Sequence, residues 1–101
     1  MNIECKKEAN TLTVVLSGDL DTNTAPVLTS MLEESLDGIT SLVLDFTGVN
    51  YLSSAGIRAI LRAENSMNAV SGSLKLIGVQ PAVYKVLEIT MLNDSLDITQ
   101  A

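Results

Sequence analysis

Tyr51-Leu52-Ser53-Ser54-Ala55-Gly56-Ile57-Arg58, which follows the apolar run Leu42-Val43-Leu44-Asp45-Phe46, is the stretch from which the fold can be read. The run reads as a buried strand, and a short loop separates it from the octet. Ile57, Ile60, Leu61 and Met67 then recur at roughly helical spacing, so the two serines lie at a strand-to-helix junction. Ser53 is the better N-cap. It puts Leu52 at N′ and Ile57 at N4, the pairing of a hydrophobic staple, whereas a cap at Ser54 would put Arg58 at N4. Ser54 then occupies N1 with a hydroxyl the backbone does not need, beside unpaired amides and the positive end of the helix dipole. Such a position accommodates a phosphate.

Working outward, Ile3 to Glu8 and Thr11 to Ser17 alternate in polarity around Ala9-Asn10 and predict a hairpin with Leu12, Val14 and Leu16 on one face. Gly18 is expected to end the second strand, and Asp19 to Asn23 to form a polar loop. A helix opened by Thr24-Ala25-Pro26 turns Val27, Leu28, Met31, Leu32 and Leu36 inward and stops at Asp37-Gly38. The Ser54 helix runs to about Val70. A Ser71-Gly72 turn, a strand from Leu74 to Ile77, a helix from near Pro81 with Val83, Val86 and Leu87 inward, and a short strand Leu96 to Ile98 complete the order. Strand-helix-strand crossovers make the connected strands parallel, so the fold class is α/β, with a mixed, mostly parallel sheet and an N-terminal β-hairpin. The loops leaving the strands' C-terminal ends emerge on one edge, where ligand and partner chemistry gathers. That edge should carry Asp19, Asp21, Thr22 and Asn23 from one loop, Asn50 to Gly56 from the next and Gly78 to Pro81 from the third. Aspartates are also favoured loop formers. Asp19, directly at a strand end, is assigned a contact role, while Asp21 suits either role.

The 101 residues, 47% of them apolar, suffice for one domain spanning residues 1–101 and are too few for two. Six basic against twelve acidic residues give a net charge of −6, with no cationic cluster beyond Lys6-Lys7, so a nucleic-acid backbone would be repelled. The apolar runs are short and the start Met1 to Lys7 has no signal-peptide core, which predicts a cytoplasmic protein without membrane insertion. Cys5 cannot form an internal disulfide and is expected as a half-buried strand residue. With no histidine in the chain, a hydrolase built on Ser54 would lack its base, and neither a metal site nor a cofactor is expected. Asp19-Leu20-Asp21 has the form of the paired aspartates of phosphoaspartate-forming phosphatases, but that chemistry needs magnesium ligands and a much larger fold. Asp94-Ser95-Leu96 matches the attachment tripeptide of acyl carriers, yet only five residues follow it and the domain is not all helical. The chain is expected not to be an enzyme.

Three pieces together resemble the STAS domain family, the anti-sigma factor antagonists: Leu16-Ser17-Gly18-Asp19-Leu20-Asp21, the Leu42 to Arg58 region, and Gln80-Pro81-Ala82-Val83 with Val86-Leu87-Glu88-Ile89-Thr90. The resemblance covers nearly the whole chain. It implies a small bacterial switch protein that, unphosphorylated, binds an anti-sigma factor or similar serine kinase of the histidine-kinase-like ATPase type. The kinase supplies ATP and phosphorylates the serine corresponding to Ser54, and a separate serine phosphatase removes the phosphate. The expected partner surface comprises Asp19, Asp21, Asn23, Ser53, Ser54, Gly56 and Arg58. Gly56 has two readings, close approach of a partner or helix-to-strand packing. Arg58, one turn from Ser54, is open to solvent, to the acidic loop or to a partner carboxylate. The best-known antagonists have aspartate where this chain has Ser53, and both residues are good N-caps. Met91 stands where relatives commonly have glycine. The family often carries a helix after the last strand, so a partly uncovered face is expected. The alternative within the family is a non-switching module, either an accessory subunit of a transporter ATPase or a sensory scaffold.

Overall fold

Alternating apolar residues and crossover helices build the molecule, which a computed structural model describes over residues 1–101. The strands are β1 (Asn2–Glu8), β2 (Thr11–Leu20), β3 (Ser41–Leu52), β4 (Ser73–Val79) and β5 (Asp97–Gln100). The helices are α1 (Ala25–Ser35), α2 (Ser54–Ala69), α3 (Pro81–Ile89) and α4 (Leu92–Ser95). The sheet order is β1-β2-β3-β4-β5. β1 pairs antiparallel with β2 through the expected hairpin, and every later neighbour is parallel.

Because each crossover steps the same way across the sheet, right-handed connections lay the helices on one face. Leu12, Val14 and Leu16 of β2, Leu42, Leu44 and Phe46 of β3, and Leu74 and Leu76 of β4 point to that face and are buried. They join Leu28 and Leu32 of α1, Ile60 and Met67 of α2 and Val83 and Leu87 of α3 in one core of 23 residues. On the other face Thr13, Val15, Val43 and Ile77 are only half-buried.

β2 does not stop at Gly18, and Thr47 to Asn50 do not form a loop. Both strands continue in register, Ser17 opposite Gly48, Gly18 opposite Val49, Asp19 opposite Tyr51 and Leu20 opposite Leu52. β3 inserts one extra residue between Val15/Ser17 and another between Gly18/Asp19. These bulges break the period-two pattern that marks a strand in sequence. Gly18 takes φ +106° at the second of them, a conformation that costs a glycine little. β4 likewise runs on through Gly78 to Val79, leaving Gln80 alone before α3.

Three smaller expectations are corrected. Val27 is 57% exposed, because the inward stripe of α1 is narrower than expected and consists of Ala25, Leu28 and Leu32. Cys5 is exposed rather than half-buried, since β1 is an edge strand; partial desolvation beside Met31, whose Sδ lies 3.2 Å from Sγ, still raises its thiol pKa. The one-turn α4, unmarked by any apolar period, is entered from Met91 in the left-handed region at φ 62°, a conformation that glycine adopts more readily than methionine.

Replacing the fully buried Leu44 by alanine should cost about 2–5 kcal/mol, whereas Val27→Ala should change stability by less than ~0.5 kcal/mol. Urea denaturation of both variants checks the assignment of the inward faces, and comparable losses would contradict it.

Candidate functional site

The site begins where β2 and β3 end together. Leu20 faces Leu52 across the pair, and the Ser53 amide donates to the Leu20 carbonyl at 3.0 Å, so one strand-to-strand contact carries the chain directly into α2. Ser53 is the N-cap, with extended backbone (φ −93°, ψ 174°), and its Oγ accepts from the Gly56 amide at 3.3 Å. Leu52 is buried and Ile57 is half-buried against the same core, so the N′ and N4 positions of this cap both turn inward. Ser54 follows as the first residue of the helix, exposed and outside the cap.

Gly56 lies on the other side of that turn. It is buried, and a Cβ there would sit 2.6 Å from Leu52 Cδ1 and 2.7 Å from the Leu20 carbonyl oxygen. Its glycine identity is therefore a packing requirement: the helix rests directly on the strand backbone. Of the two readings of Gly56, the one with a partner approaching it is displaced by this burial.

The loop from β2 to α1 is organised by Asp21. Its Oδ1 accepts from the amides of Asn23 at 2.9 Å and Thr24 at 3.1 Å, and from the Thr24 hydroxyl at 3.2 Å. Thr24 Oγ1 in turn donates to the Asp19 carbonyl at 2.7 Å and accepts from the Asp21 amide at 2.9 Å. The amides of Thr24 and Asn23 hold the Asp21 carboxyl below the usual carboxylate range. Asp21 thus spends its carboxylate on the loop, while the side chains of Asp19 and Asn23 are exposed.

Asp19, Asn23, Ser53 and Ser54 are brought to one edge by the β2–β3 pairing. Arg58 is exposed but lines the seam between α1 and α2. It does not bridge to the acidic loop, since the one ion pair in the structure joins Arg62 to Glu33. Tyr51 was not singled out by sequence reasoning. It is 54% exposed and lies directly across from Asp19. The signal available in the sequence was an aromatic two residues before the two serines, while its exposure is seen only in the structure. No helix is long and apolar enough to cross a membrane.

The pattern of the STAS domain matches residues 2–101. The anti-sigma-B factor antagonist of Listeria monocytogenes is 30% identical over 101 residues, covering 97% of this chain and 88% of the relative. That of Bacillus subtilis is 27% identical over 99 residues, covering 98% and 91%. Among solved structures, the Bacillus anti-sigma factor antagonist SpoIIAA superposes in its unphosphorylated form with a TM-score of 0.79 at 17% identity, covering 99% of this chain and 89% of that one. Its phosphorylated form gives 0.77 at 18%, covering 96% and 90%.

Ser53→Ala should destabilise the protein by about 0.5–2 kcal/mol through the lost cap. A second expectation concerns acid. A carboxyl whose pKa is depressed by folding contributes stability in full above its unfolded value of about 3.9 and loses it as the pH falls through the lower folded value. The stability gap between the wild type and Asp21→Asn should therefore be widest near neutrality and close below about pH 4. Denaturant titrations across pH 2–7 measure it, and a gap independent of pH would refute the role given to Asp21.

Proposed function

The chain belongs to the STAS domain family, and on that premise we propose that it is an anti-sigma factor antagonist switched by phosphorylation of Ser54. Unphosphorylated, it binds an anti-sigma factor that is also a serine kinase of the histidine-kinase-like ATPase type; phosphorylated, it releases that partner, and a serine phosphatase resets it. The cytoplasm is the compartment in which such partners meet. The observation that carries the reading is the division of labour between the two serines: Ser53 accepts the Gly56 amide as N-cap, and Ser54 presents an exposed hydroxyl at the first turn of α2.

The physical case runs through charge and water. Phosphate adds about −1.5 to −2 charge and three acceptor oxygens, which the unpaired amides and dipole of a helix N-terminus tolerate in the free protein. Pressed into an interface, the same group must shed water. Turning a complex from mostly bound to mostly released takes roughly 5.5 kcal/mol. A phosphate desolvated inside the contact area supplies a penalty of that order, whereas one at the rim does not. Asp19, exposed at the same edge, sharpens the penalty by repulsion.

The partner surface under this reading comprises Asp19, Tyr51, Ser54 and Asn23, with Arg58 on its flank. Ser53 and Asp21 shape it from within, and Gly56 sets the height of the helix above the strand. The chain itself needs no catalytic group, since the kinase brings the nucleotide.

With the partner kinase and ATP, Ser54→Ala should abolish phosphate incorporation while Ser53→Ala retains it, as read by mass-spectrometric site mapping. Phosphate found only on Ser53 would overturn the assignment. Ser54→Asp and Asp19→Ala should each weaken partner binding at least tenfold, about 1.4 kcal/mol, by titration calorimetry, with the fold intact. Unchanged affinity for both would favour the non-switching module.

A further inference from the structure

Both arginines of this acidic chain, Arg58 and Arg62, line one groove of about 480 Å³ between α1 and α2. The four lysines lie elsewhere, on β1, β4 and α3. The groove is narrow-walled by small side chains, Ala25 and Pro26 of α1 against Ala55 and Ala59 of α2, so a ligand backbone can lie close to both helices. A smaller cavity of about 40 Å³ continues along the same seam as far as Ser66, sharing Thr29, Glu33, Ala59 and Arg62 with the first. The two form one trench.

Its charges are available. Arg58 has no carboxylate partner, and Arg62 meets Glu33 at 3.8 Å with the side chains 69% and 66% exposed, a weak contact that a better-placed carboxylate displaces. The spacing of the arginines specifies what fits. Four residues of helix advance about 6 Å along the axis. An extended segment places every second side chain on the same side at about 6.6 Å intervals. Two acidic residues separated by one spacer in an extended chain therefore match the pair, each offered the planar fork that favours carboxylates. The hydroxyls of Thr29 and Ser30 on the α1 wall provide hydrogen bonds to such a backbone.

We propose that the α1–α2 groove docks an extended acidic segment of a partner protein, with carboxylates at alternate positions engaging Arg58 and Arg62. The segment extends the contact surface beyond the Ser54 edge, to which Ala55 and Arg58 connect it, and it binds the unphosphorylated chain; a phosphate on Ser54, four residues before Arg58, would compete for that arginine.

The test uses the ¹⁵N-labelled full chain, with no kinase and no nucleotide, so that its failure leaves the Ser54 reading standing. The probe is a capped peptide Gly-Ser-Glu-Ser-Glu-Ser-Gly, compared with its glutamine analogue and with sodium sulfate at matched ionic strength. Amide shifts should move along residues 25–33 and 55–62 with the glutamate peptide. The double variant Arg58→Gln, Arg62→Gln should weaken binding at least tenfold with an otherwise unchanged spectrum. Glu33→Gln should tighten it by freeing Arg62, and Lys6→Gln with Lys7→Gln should leave it unaltered. Equal binding of the glutamine peptide, shifts centred on the lysines, or sulfate competing for the arginines with the peptide no tighter would each overturn the proposal.

Discussion

The hydrogen bond from the Ser53 amide to the Leu20 carbonyl, at 3.0 Å, is the contact on which the functional edge depends. It joins the last residue pair of two parallel strands to the first turn of α2. The same Leu20 carbonyl leaves no room for a Cβ on Gly56. Strand end, helix cap and helix height are thus fixed by one small cluster of backbone groups. Whatever Ser54 does, it does from a platform that cannot shift without repacking Leu20 and Leu52, both in the core.

Much of this platform was legible in the sequence because it obeys local rules. The N-cap, the staple and the hairpin register follow from residue type and spacing, and the parallel order follows from alternating elements. What was not legible lies where a local rule is interrupted by a tertiary one. β3 runs past Phe46 to Leu52 because β2 extends beside it, and two bulges shift the phase of Val49 and Leu52 relative to Leu44. Sequence periodicity loses the strand at the first bulge. Val27 faces water and Cys5 is exposed for a related reason: periodicity says which residues share a face, but how much of that face is covered depends on the neighbouring element.

At the site itself, the residue types were recognisable and their division of roles was not. Asp19 and Asp21 look alike in sequence, yet Asp21 accepts three hydrogen bonds that hold the loop before α1 and Asp19 contributes its backbone carbonyl, leaving its carboxylate outward. Gly56 had two readings that only the distance to Leu20 could separate. Tyr51 became visible as a surface residue once the strand end carrying it was seen to pair with Asp19.

The charge distribution gives this edge a polarity that composition conceals. A net charge of −6 describes a chain that repels anions at long range, but the two arginines are concentrated on one side of α2, one turn apart, and the strand end carrying Asp19 lies at the start of that helix. Local complementarity in a groove acts at distances shorter than a Debye length, about 8 Å at physiological salt, whereas charges elsewhere on the chain, farther off than that, are largely screened. A partner meeting this edge therefore encounters acidic and hydroxyl groups around Ser54 and cationic groups along the α1–α2 seam. Adding negative charge at Ser54 changes the first region most, because the helix dipole that accommodates a phosphate there falls off within the first turn. Arg58, one turn on, lies within reach of such a phosphate, whereas Arg62, two turns on, does not, so the far end of the seam keeps its cationic character in either state of the serine.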